Sequence, residues 1–184
     1  MVERIRDISE KWGPWPLFIS ALADASLLPM PVTTIFLILI AGNPKDAFKY
    51  TTFVILGTMA GSLAGYLFGH FAWLKENGEN TALAQFIAGN IPGFSIDFYA
   101  KINTLFNKWD IWVLSIAATT PIPYGFFSIA SGIFNINVLA FSTITLLSHS
   151  IKFIFLAFLT SRIRYESSRL KVFFLSKGMK GKTA

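Results

Sequence analysis

The chain has 184 residues, a length that suits one domain. It is 53% hydrophobic and only 14% charged, with mean hydropathy +0.55, where a soluble domain carries about a quarter charged residues. The net charge of +6 sits at the flanks of apolar stretches, which argues against a nucleic-acid partner, and the lack of cysteine excludes disulfides, thiolate metal sites and S-acylation.

Residues 1–12 carry six charged side chains, and no apolar run follows Met1, so a cleavable signal peptide is not expected. Val2, Ile5, Ile8 and Trp12 recur at helical spacing, which predicts an interfacial helix over 1–14. Residues 15–41 form the first apolar segment, interrupted at Pro29-Met30-Pro31, and 42–50 form a polar turn. Residues 51–73 are apolar without interruption, and these 23 residues suffice to span about 30 Å of hydrocarbon.

The stretch 74–110 is extramembrane. Phe98, Ile102, Leu105, Phe106 and Trp109 give it one apolar helical face. Residues 111–136 are a second interrupted segment, broken at Pro121-Ile122-Pro123, and 138–160 a second uninterrupted one. The tail 161–184 is basic. Broken, whole, broken, whole is a weak internal repeat, with Gly42 and Gly132 following the two breaks. Paired proline-interrupted segments point to a transporter-type site at the midplane.

Two topologies stay open for each broken segment. One is a re-entrant hairpin that enters and leaves on the same side; the other is a single kinked span. Both place the two termini in the cytoplasm. The lysines at 45 and 49 mildly favour hairpins, because they then lie inside with the termini. Gly57, Gly61, Gly65 and Gly69 lie four apart and form one small face, widened by Ala60 and Ala64, on which a neighbouring backbone can approach closely. Ordinary helix packing and the cradling of a hairpin are both compatible with that face, and it also offers a route to a homo-oligomer.

Asp24 stands alone in the first segment. A charged residue there faces a cavity and functions, as a proton acceptor among other roles, or else is held neutral by hydroxyls such as Ser20 or Ser26. His149 and Lys152 share one face of the last apolar helix, with Thr145 and Ser148 close to it. An Asp24–Lys152 pair with His149 nearby would neutralise both charges. Ser148, His149 and Asp24 are the residue types of a hydrolytic triad. No Gly-x-Ser-x-Gly elbow or His-Glu-x-x-His motif accompanies them, and Ser148 and His149 diverge as helix neighbours, so an enzyme is the weakest reading.

Three blocks carry a resemblance. The run from Ala23 to Pro31 (ADASLLPMP), the glycine helix from Gly57 to Gly69, and Thr119-Thr120-Pro121-Ile122-Pro123-Tyr124 with Ala130-Ser131-Gly132 together resemble the DedA family (the VTT or SNARE-associated membrane proteins), in its YqaA-like branch. The resemblance covers roughly residues 18–160. It implies an all-α integral membrane protein in which two Pro-x-Pro re-entrant hairpins face each other among two full transmembrane helices and interfacial helices. It also implies a multi-pass protein of the inner cell membrane that moves phospholipid or lipid-phosphate, with proton coupling, in envelope homeostasis; protons or a small anion join the membrane lipids as expected partners. Transport candidates are then Asp24, Pro29, Pro31, Pro121, Pro123, Tyr124, His149 and Lys152, with membrane lipids as partners and no cofactor or metal. The chain departs from the family pattern in lacking arginine beside the second proline pair: Thr119, Thr120 and Gly125 stand there, and a lysine offers phosphate only a point charge. A non-transporting scaffold or assembly factor is the second reading.

Overall fold

In the computed structural model, residues 12–72, 81–90, 101, 104–106, 108–109, 112–120 and 122–180 are described, with side chains through 163. Among them the chain is helical, with no strand. The helices are α1 (Trp15–Ser26), α2 (Val32–Gly42), α3 (Ala47–Ala72), α4 (Ala82–Asn90), α5 (Trp112–Thr119), α6 (Gly125–Ile133) and α7 (Val138–Lys180). A single 3-10 turn, Pro44–Asp46, joins α2 to α3. The 1–14 helix lies outside the described residues except at its end. So do Phe98, Ile102, Pro121 and the side chains of the basic tail beyond Ile163. The backbone of α7 runs on through Lys180, well past the apolar stretch.

Both breaks fall where proline dictates. Pro29 and Pro31 cannot donate, so α1 ends at Ser26 and α2 begins at Val32. The remaining N–H groups of the break all find acceptors. Leu27 and Leu28 donate to Ala23 O, Met30 donates to the Asp24 carboxylate and Val32 donates to Met30 O. At the far end of the second broken segment, Asn135 takes a left-handed conformation (φ 53°), and Asn137 Oδ1 accepts from the N–H groups of Leu139 and Ala140 to cap α7.

The glycine face of α3 sets the packing. An added Cβ would press on Phe18 O at Gly57, on the Leu22 backbone at Gly61 and on Ile129 O at Gly69. At Gly65 it would lie 3.0 Å from both Ser26 O and Ser128 Cβ. Thus α1 lies along the first part of α3 and α6 along the next, running in the same direction, and the two meet beside Gly65. Gly125, at the start of α6, has no room for a Cβ, which would sit 2.9 Å from Asp24 O and 3.0 Å from Ser26 O. Helices of 12 and 9 residues, about 18 and 14 Å long, therefore sit end to end against one long helix. The negative C-terminal end of one faces the positive N-terminal end of the other.

α7 is lined in the same manner. Its first half carries α5, through the Ser148–Ser115 hydroxyl bond of 3.1 Å, and its next turns carry α2, through Phe36 edge-on to Phe153 at 4.9 Å. Each long helix thus holds the first arm of its own broken segment and the second arm of the other. Leu17 and Ala21 of α1, Leu39 and Ile40 of α2, and Tyr50 and Val54 of α3 share one buried cluster, so the chain doubles back at the first break. A second cluster joins α5 and α6 to Tyr66 and Phe141, with Phe106 against Phe134.

Two expectations need correction. Ala60 and Ala64 do not widen the packed face; both are exposed. The glycines themselves are covered by α1 and α6. The repeat is also unequal: a Cβ on Gly132 would press on Tyr66 O, whereas Gly42 is exposed with nothing within 4 Å.

Among the described residues two helical stretches are long and apolar enough to cross a membrane, Pro44–Phe71 (28 residues) and Val138–Ile163 (26 residues). In the second only 22% of the most apolar stretch is buried, leaving Leu139, Ile151, Phe155 and Phe158 uncovered.

Gly61→Val must displace the Leu22 backbone, which cannot yield as a flexible side chain would. A loss of about 3 kcal/mol or more is expected in thermal unfolding in detergent. Ala60→Val, one residue away on the exposed face, is expected to stay within about 0.5 kcal/mol of wild type.

Candidate functional site

The four broken helix ends converge on a cavity of about 410 Å³. Asp24 enters from α1, Pro29 to Thr34 from the first break and the first turn of α2, and Thr58 from α3. Ala117 and Ala118 of α5 with Thr120, Ile122, Pro123 and Tyr124 form the opposite side, and His149, Lys152 and Phe153 of α7 complete the lining. Of the transport candidates, Asp24, Pro29, Pro31, Pro123, Tyr124, His149 and Lys152 all border this space. Pro121 lies outside the described residues.

Asp24 is fixed by the break itself. Its Oδ1 accepts the Met30 N–H at 3.0 Å, the only N–H in the Pro29-Met30-Pro31 tripeptide. The expected hydroxyl partners are occupied elsewhere: Ser20 donates to Pro16 O and Ser26 to Ala23 O. Lys152 faces the same cavity and interacts with Asp24 electrostatically, with its ammonium 5.4 Å from the Phe153 ring centre. The charge and its counter-charge come from helices at opposite ends of the sequence, which the tandem packing brings together.

His149 is 4% exposed, with its ring edge-on to Tyr124 at a centroid distance of 4.4 Å. Its Nδ1 lies 3.0 Å from Thr145 O. Thr145 Oγ1 donates to Phe141 O at 2.7 Å and so accepts from the Tyr124 hydroxyl at 3.0 Å. Tyr124, Thr145 and His149 thereby form one ordered polar unit that ties the second break to α7. On the far side of α6, Tyr66 donates to Ile136 O at 2.6 Å and fixes the turn into α7.

The triad residues are committed to other partners. Ser148 bonds Ser115, His149 Nδ1 faces Thr145 O, and Asp24 holds Met30. The residues that the sequence reading passed over are the cavity threonines, Thr33, Thr34, Thr58 and Thr120. Thr33-Thr34 follows the first proline pair and Thr119-Thr120 precedes the second. Hydroxyls beside each break were thus a visible signal; Thr58, one residue after Gly57, carried none.

No family model matches the chain, and no solved structure does. An uncharacterised protein of Haemophilus influenzae is 23% identical over 145 residues, covering 78% of this chain and 69% of that protein.

Asp24→Leu loses the hydrogen bond from the Met30 N–H to a charged acceptor and is expected to lower stability by about 1.5–3 kcal/mol. Asp24→Asn retains a carbonyl acceptor in the same place and is expected to stay within about 1 kcal/mol of wild type, as read by thermal unfolding in detergent.

Proposed function

We propose that the chain is a DedA-like membrane transporter or scramblase that moves the headgroup of a phospholipid or lipid-phosphate through the central cavity while the acyl chains stay in the bilayer. The observation that carries this reading is the cavity where the four broken helix ends meet, with Asp24 and Lys152 on an otherwise largely apolar wall. Non-helical backbone and ionisable side chains at membrane depth belong beside such a cavity, and discontinuous helices supply transport sites. The uncovered apolar face of α7 supports a bilayer around it. The doubling back at the first break supports re-entrant hairpins over kinked spans. On the hairpin reading Lys45 and Lys49 join the termini on the cytoplasmic side of the inner membrane. Protons are the coupled species this reading admits, and a small anion is its alternative cargo.

One observation favours the scaffold instead. The Asp24–Met30 bond gives the aspartate a structural task that needs no cargo. The two readings separate on Asp24→Asn, which keeps that bond and removes the charge.

The test is translocation of acyl-chain-labelled phospholipid in vesicles containing the purified chain. Wild type is expected to move lipid, while Asp24→Asn and Lys152→Gln are expected to lose about tenfold or more of the rate and remain folded. Wild type inert across several headgroups sinks the transport reading, and Asp24→Asn as active as wild type sinks the role of the charge.

A further inference from the structure

The cavity wall has a polarity that its charges do not reveal. Thr58 Oγ1 donates to Val54 O at 2.8 Å and Thr120 Oγ1 to Ala117 O at 2.9 Å. A hydroxyl has one proton, so each of these threonines can present only lone pairs to the cavity. Asp24 is a carboxylate with Oδ1 given to Met30, leaving Oδ2 as a further acceptor.

His149 follows the same pattern. Thr145 O is a carbonyl and can only accept, so the ring proton sits on Nδ1, and in the neutral imidazole Nε2 is an acceptor. The ring is buried, and it borders the cavity. Thr58, Thr120 and His149 are thus fixed as acceptors by their own hydrogen bonds and Asp24 Oδ2 adds a fourth, while the Thr33 and Thr34 hydroxyls on the same wall can donate or accept. Against them Lys152 supplies the one cationic donor among the described lining residues.

Resting on the transport reading above, we infer that the cavity selects a phosphodiester headgroup whose far end carries N–H or O–H donors, a primary amine or a hydroxyl. The phosphate meets Lys152, and the distal donors meet Thr58, Thr120, His149 Nε2 and Asp24 Oδ2. A trimethylammonium headgroup has the same phosphate and a similar charge but no donor, so it leaves these acceptors unpaired. A site built to hydrogen-bond a ligand rejects the analogue that lacks the group.

The experiment is thermal stabilisation of the full-length chain in neutral detergent on titration with phosphatidylethanolamine, phosphatidylglycerol and phosphatidylcholine of the same acyl chains. Glycerophosphoethanolamine serves as the soluble counterpart. The amine and hydroxyl lipids are expected to stabilise at about tenfold lower concentration than the choline lipid. Stabilisation by the lipids alone identifies a lipid as the source, and stabilisation by the soluble compound as well identifies the headgroup itself; both support the inference. His149→Phe is expected to erase the difference between headgroups, and Thr58→Val, which keeps shape and loses the lone pairs, to reduce it should His149→Phe not fold. Equal stabilisation by all three lipids, or none by any, overturns the inference. Selective binding by a chain that moves no lipid would remove the transport reading and leave the headgroup selection standing, while lipid movement without selection would do the reverse.

Discussion

The contact on which this structure depends is backbone against backbone, between the glycines of α3 and the carbonyls of α1 and α6. Where Gly57, Gly61 and Gly69 sit, the neighbouring chain occupies the space a side chain would need. In an apolar surrounding, no hydrophobic gain drives two helices together, so close packing of small residues has to do it. That approach lets two short helices lie end to end along one long one. The same stacking places the carbonyls that end α1 against the start of α6, where Gly125 leaves room for them.

A cavity is the consequence of helices that stop short. α1 and α2 end at one proline pair, α5 and α6 at the other, and none is long enough to cross about 30 Å alone. Each long helix compensates by taking one arm from each half of the chain. The ends then face one another at mid-length, where backbone groups leave helical pairing and need polar company. Asp24 meets that need for the first break; at the second, Thr120 N–H donates to Ala117 O and Tyr124 O accepts from Phe127 and Ser128, while the Tyr124 hydroxyl ties the break to Thr145 of α7.

Much of this was legible before any coordinates. Proline pairs remove donors at fixed positions, so the breaks at 29–31 and near 121–123 followed from residue type alone. A four-residue glycine period marks a face whatever lies against it. What covers the face was not legible, because α1 and α6 are far apart in sequence and neither carries a complementary pattern. Ala60 and Ala64 illustrate the gap: they are small, four apart and close to the glycines, yet exposed, since a helix has more small positions than its neighbours occupy. The hydrogen-bond partner of Asp24 was misread for a related reason. Ser20 and Ser26 were the nearest hydroxyls in sequence, but a serine in a helix readily returns its proton to a carbonyl three or four residues back, and both do.

The two halves share a scaffold and differ in chemistry. α3 contributes to the cavity through Thr58, whose proton is already spent on Val54 O, while its glycines serve only packing. α7 has no glycine face, and at the corresponding depth it carries His149 and Lys152. Both long helices hold arms in place, and α7 in addition brings His149 and Lys152 to the cavity opposite Asp24 of α1. This placement explains how the chain can lack an arginine beside its second proline pair and still offer a cation in the cavity. Lys152 reaches the same space from a different helix, and Asp24, anchored by the one donor its break possesses, faces it across the junction.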